Sequence, residues 1–248
     1  MPMRILRHAF ATIAISALGV CGTATSSGDA KDGLAGVSGE VVVTAPGAGA
    51  MEKDASRIVI WLAPADAMQR VSTTTTQRSH YRLLQRNKRF EPALLVVPVG
   101  SVVDFPNADP WFHNVFSLYR GKRFDLGLYQ AGSQRSVKFD RIGPSYLFCN
   151  IHPEMTGVVL ALDSDLFGIT DKSGHYLIAG VSPGKYIFHA WYQNAMPESL
   201  QALQRQVTIG NSNQTLPPIS VKAVKQAPAE HKNKYGQNYD PETLKTDY

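Results

Sequence analysis

The chain has 248 residues, 44% of them hydrophobic and 18% charged, with a formal net charge of +5. That length and composition suit one large or two small globular domains. The charge is too mild and too scattered for a nucleic-acid partner, though it suits solubility or a weak encounter with an acidic protein surface.

Residues 1–24 carry Arg4, Arg7 and His8 ahead of A-F-A-T-I-A-I-S-A-L-G-V, the positive start and short apolar stretch of a secretory signal peptide. The stretch is too short for a dependable transmembrane segment. Cleavage after Ala24 satisfies the small-residue rule through Gly22 and Ala24. The alternative is a lipid anchor at Cys21 in L-G-V-C, where Val20 is a poor residue directly before the cysteine. Loss of the leader removes Arg4 and Arg7, so 23 basic residues stand against 20 acidic ones, and Cys149 is then the single thiol. Residues 25–36 are small, polar and glycine-rich, the composition of a flexible linker.

An N-terminal β segment is expected over 37–90. V-S-G-E-V-V-V-T and R-I-V-I-W-L read as strands, separated by a loop through Pro46, Gly47 and Gly49. V-S-T-T-T-T-Q is β-branched and a candidate strand, and the basic H-Y-R-L-L-Q-R-N-K-R-F reads as a solvated edge strand and turn. From 91 to 163 the β pattern is dense: A-L-L-V-V-P-V, S-V-V-D-F-P-N, W-F-H-N-V-F-S-L, R-F-D-L-G-L-Y and S-Q-R-S-V-K-F-D. Alternation in V-V-D-F and H-N-V-F-S-L puts every second side chain on one face. Short strands every eight to twelve residues predict an all-β, Greek-key sandwich. Phe105, Phe112, Phe116 and Phe148 are expected to fill its core or to keep water from a metal site.

F-C-N-I-H-P-E-M places Cys149, His152 and Met155 at three-residue intervals, between P-S-Y-L-F and V-V-L-A-L, both of which read as strands. His113 lies 36 residues before Cys149. A thiolate, two neutral imidazoles and a weak axial thioether are the ligand types of a blue-copper electron-transfer site. Pro153 removes a donor and stiffens the turn, and Gly157 lets the next strand pack closely. Each of these residues is also an ordinary core residue taken singly. Zinc competes for the same set, but structural zinc sites use Cys and His without thioethers. A lone thiol in an oxidising compartment is a liability unless something occupies it.

V-P-V-G-S-V-V-D-F-P-N-A-D-P-W-F-H-N-V followed by Y-L-F-C-N-I-H-P-E-M-T-G-V-V resembles the plastocyanin/amicyanin type of cupredoxin, including bacterial periplasmic methylamine-utilisation-type proteins with K-R-F-D-L-G-x-Y. The resemblance spans roughly residues 90 to 192 and implies one mononuclear type 1 copper held by His113, Cys149 and His152, with Met155 axial. It also implies that Asn114 braces the cysteine loop by hydrogen bonding. The short C-x-x-H-x-x-M spacing matches amicyanins better than plastocyanins. Glu154 departs from the pattern, since an apolar residue there would shield the metal better.

Residues 164–222 change character. D-K-S-G-H-Y and P-G-K-Y resemble a carboxypeptidase regulatory-like (transthyretin-like) β module, matching it at Asp171, Gly174, Tyr176, Pro183, Gly184 and Tyr186. Strands near 37–64 belong either to this module or to the cupredoxin unit. His175 and His189 are expected to be structural, and the polar residues 223–248 to form a disordered tail.

Two functions follow from these residues. One is an exported, periplasmic carrier of single electrons between redox partner proteins, with His152 as the exit. The other is copper storage or delivery, or a structural sandwich. An enzyme is not expected: the chain has no H-x-H pair, nucleophile elbow or H-E-x-x-H.

Overall fold

Alternation in A-G-V-S-G-E-V-V-V-T makes the first strand, β1 (Ala35–Thr44), buried at every second residue. The computed structural model describes residues 33–45, 54–66, 80–118, 121–224 and 232–239. The expected signal peptide with Cys21, the T-T-T-T stretch and most of the linker and tail lie outside them.

The protein is all-β, and its strands form two sandwiches, one inserted in the other. β1 and β2 (Val59–Pro64) combine with strands far downstream: β13 (Phe167–Ile169), β14 (His175–Val181), β15 (Gly184–Trp191), β16 (Arg205–Ile209), β17 (Gln214–Thr215) and β18 (Ile219–Lys222). β1 runs antiparallel to β14 and parallel to β17 and β18, while a second sheet has the order β13-β2-β15-β16. Val37, Val41, Ile60, Leu62, Ile178 and Phe188 fill the space between them. Pro197 opens the short helix α1 (Pro197–Gln201), which buries Leu200 against the same core. The strands near 37–64 therefore pair within the module of residues 164–222, which the sequence left open.

The motif residues of that module have structural work. Asp171 accepts the N–H groups of Ser173 and His175 at 2.8 and 3.1 Å. Gly174 has φ +85°, and a Cβ there would lie 2.1 Å from the Val41 carbonyl oxygen, so only glycine fits. Tyr186 donates its hydroxyl to the Ser182 carbonyl at 2.8 Å. His175 is exposed, and His189 stacks on Trp61 with centroids 4.7 Å apart.

The inserted sandwich lies between β2 and β13. It contains β3 (His80–Arg82), β4 (Leu84–Arg86), β5 (Arg89–Glu91), β6 (Leu94–Pro98), β7 (Val102–Pro106), β8 (His113–Ser117), β9 (Phe124–Tyr129), β10 (Gln134–Lys138), β11 (Gly143–Phe148) and β12 (Thr156–Leu162). One sheet has the order β6-β12-β11-β8-β9, the other β10-β7-β3, and β4-β5 is a separate hairpin. Leu83, Val97, Val103, Phe105, Val115, Leu147 and Val159 share its core. Each such side chain contributes about 1.5–3 kcal/mol on burial. The two sandwiches meet through Val96, Val158, Leu160 and Leu162 from one and Val59 and Trp191 from the other.

Three expectations change. β3, β4 and β5 pair within or against the inserted sandwich, so it begins near residue 80 rather than 91. β8 does not alternate: all five residues are buried, because Phe116 on the outward row packs against Phe148 at 5.8 Å and Asn114 bonds Asp125. Phe112 is 44% exposed and lies outside the dry shell, whereas Phe105 and Phe116 are buried.

Candidate metal centre

The site begins with the turn from Phe148 to Thr156. Strands β11 and β12 pair in register up to Phe148 and Thr156, which leaves 149–155 as their connection. Within it the Cys149 N–H bonds the Met155 carbonyl at 3.2 Å, and the Met155 N–H bonds the His152 carbonyl at 3.1 Å. These bonds fold the loop so that Cys149 and Met155 both enter the inner core, completely buried. Pro153 sits half-buried in the turn, and Glu154 points to solvent. Gly157 starts the return strand, where a Cβ would lie 3.2 Å from Phe90, so the chain packs closely there.

His113 arrives from the neighbouring strand. β8 pairs β11 at Phe116 and Phe148, which brings its first residue beside the Cys149 loop. Cys149 Sγ lies 3.9 Å from His113 Nδ1 and 3.6 Å from His152 Nδ1, and the two Nδ1 atoms are 3.1 Å apart. A point in the plane of these three atoms lies about 2.1 Å from each, close to the length of a nitrogen or thiolate bond to a first-row metal ion. The three donors fit one small ion. Met155 belongs to the same buried cluster as Cys149.

Sequence reasoning did not find the residue that orients His113. Asp109, itself buried, accepts the Asn87 N–H at 2.6 Å, the Lys88 N–H at 2.9 Å and His113 Nε2 at 2.8 Å. Asn87 and Lys88 form the β4–β5 turn with φ of 54° and 55°, a backbone shape that aims both N–H groups at the carboxylate. Burial of Asp109 opposes its charge, but the N–H donors and His113 outweigh it and hold the carboxyl below its ordinary pKa. An ionised carboxylate only accepts, so Nε2 carries the hydrogen and the Nδ1 lone pair faces Cys149 and His152. Burial lowers the basicity of His113, with Asp109 opposing, and the balance favours the neutral imidazole, the form that ligates a metal. A signal was present in the sequence: D-P-W-F-H places a carboxylate four residues before the histidine.

Around the thiol, burial pushes the Cys149 pKa up, while the backbone N–H groups of Asn114, Ile151, His152 and Asn150 pull it down. Those donors favour a thiolate once a cation is present to offset the burial. Asn114 thus meets the cysteine through its backbone. Its side-chain amide bonds Asp125 at 2.7 Å rather than the cysteine loop.

The polar C-terminal stretch is not wholly a loose tail, since residues 232–239 lie against this site. The Lys234 N–H bonds Asn150 Oδ1 at 3.0 Å, Lys234 Nζ bonds Asp125 at 2.8 Å, and the Tyr239 hydroxyl donates to the Cys149 carbonyl at 2.7 Å. His113 is fully buried and His152 half-buried, so the edge of the site nearest solvent is His152. Among the described residues no helix is long and apolar enough to cross a membrane.

No protein-family model matches the chain, and no curated protein matches it. Among solved structures it is similar to a copper-containing nitrite reductase from Thermus scotoductus, at 22% identity and a TM-score of 0.33 over 34% of this chain, but spanning only 22% of that one. A purple cupredoxin from Nitrosopumilus maritimus matches at 24% identity and a TM-score of 0.31, over 33% of this chain and 99% of that one. A reduced amicyanin mutant matches at 23% identity and a TM-score of 0.32, over 34% of this chain and 83% of its own.

Proposed function

We propose that the protein is an exported, cupredoxin-type blue-copper carrier of single electrons, and not an enzyme. The observation that carries this is the triangle of Cys149 Sγ, His113 Nδ1 and His152 Nδ1, with edges of 3.1, 3.6 and 3.9 Å. Cys149, His113 and His152 would hold the ion, and the Met155 thioether would supply a fourth, weaker donor. When bound, copper supplies a one-electron couple between Cu(II) and Cu(I). The chain keeps the donors in place through its own bonds: Asp109 fixes the tautomer of His113, and backbone N–H groups surround the Cys149 sulfur. Donors that are already positioned need little movement when charge changes, which suits fast outer-sphere transfer. Electrons would leave through His152, the half-buried ligand, toward a redox partner protein. Arg4, Arg7 and the apolar stretch after them support export to the periplasm.

Voltammetry of the copper-loaded protein tests the carrier role. A reversible one-electron wave is expected. Tight Cu(I) binding without a reversible couple would overturn it in favour of storage or delivery.

A further inference from the structure

Asp109 does more than cap a turn. Both of its oxygens accept a backbone N–H from the β4–β5 hairpin, and Oδ2 also meets His113 Nε2 at 2.8 Å. The Asp109 N–H in turn bonds Asn107 Oδ1 at 3.0 Å, and the Ala108 N–H bonds the Gln85 carbonyl at 2.9 Å. A full negative charge is therefore pinned against a fully buried imidazole. In such surroundings a fixed anion acts strongly on any change of charge nearby.

We propose that Asp109 is a positioning residue that holds His113 with Nδ1 bare and biases the copper site toward its oxidised state. The inference rests on the copper reading above. An anion hydrogen-bonded to the ligand raises the basicity of the imidazole. It favours the ion of higher positive charge, so Cu(II) gains more than Cu(I). The hairpin 84–91 contributes by fixing the carboxylate, which gives this basic stretch a role at the metal rather than at a nucleic acid.

The test uses the full chain loaded with copper, as wild type and as Asp109→Asn. Asparagine keeps the size, and its Oδ1 can still accept from His113 Nε2–H and the Lys88 N–H, while its amide nitrogen cannot accept the Asn87 N–H, so the charge is removed together with one turn hydrogen bond. The visible thiolate-to-copper band is expected to persist in both. The ratio of Cu(II) to Cu(I) affinity should fall about tenfold, which for one electron is a rise of roughly 59 mV in potential. An unchanged potential with the band intact overturns the assignment while leaving the copper site standing. A folded variant without the band supports Asp109 as the residue that holds His113 and overturns the bias toward the oxidised state, because Asp109 then only keeps a ligand in place. A wild type that shows no band refutes the copper reading itself, and this inference with it. Should the variant fail to fold, ¹⁵N NMR of metal-free wild type decides: hydrogen on Nε2 of His113 supports the proposal and hydrogen on Nδ1 overturns it.

Discussion

Replacing Gly157 with alanine puts a methyl group where the return strand β12 touches the hairpin that serves the metal site. The new Cβ would lie 3.2 Å from Phe90 Cβ and Cδ2 and 3.3 Å from Cγ. Phe90 is buried in the core that contains Cys149 and Met155, so it has little room to retreat. Overpacking of this kind costs about 1–3 kcal/mol, and the melting temperature should fall by about 5 °C in a chain of this size. Alanine also restricts the unfolded chain, which alone stabilises by about 0.4–1 kcal/mol. Gly210→Ala controls for that, since nothing lies within 4 Å of its added Cβ. Thermal unfolding of the metal-free proteins, followed by circular dichroism, makes the comparison. Phe90→Leu in the Gly157→Ala background should recover part of the loss. If Gly157→Ala melts with Gly210→Ala, the close packing of β12 on Phe90 is not what stabilises the hairpin, and the reasoning fails.

Tyr239→Phe removes one hydrogen bond to the Cys149 carbonyl and should weaken the cover over the loop by about 0.5–1.5 kcal/mol; hydrogen exchange at 149–152 should speed up, and unchanged exchange would count against the contact. The Lys234–Asp125 pair has a defined pH window. Burial works against the Asp125 charge, but Lys234, the Gly127 N–H and Asn114 outweigh it and lower its pKa below the ordinary 3.8. Because the folded value is depressed, this stabilisation is present above about pH 4 and is lost as pH falls through the folded value; protease nicking of 232–239 should be flat from pH 8 to 5 and rise only below that, and a change near pH 6 would contradict it.

The grouping of Cys149, His152 and His113 was legible because two of its members sit within four residues, and residue type restricts what such a group can bind. Cys149 and His152 are held by local bonds of their own loop, and His113 belongs to a strand whose neighbour is β11. Asp109 was less legible, since its partners are backbone N–H groups of Asn87 and Lys88, 22 and 21 residues upstream. Basic side chains drew notice in R-N-K-R, whereas the turn's backbone is what serves the site. Phe112 misled because hydrophobicity says nothing of facing, and β8 lost its alternation because both of its faces are covered. Residues 232–239 look disordered by composition, yet a few specific bonds to Asn150, Asp125 and Cys149 hold them. The insertion of one sandwich within another rests on pairing between residues more than a hundred positions apart, such as Trp61 with His189, and no local pattern encodes it.

Titrating Cu(II) into the metal-free protein while recording the visible spectrum tests the metal site most directly. An intense thiolate-to-copper band should grow to saturation at one equivalent and be absent in Cys149→Ala. A band of full strength in that variant, or none in the wild type, would contradict the convergence of Cys149, His113 and His152 on one copper ion.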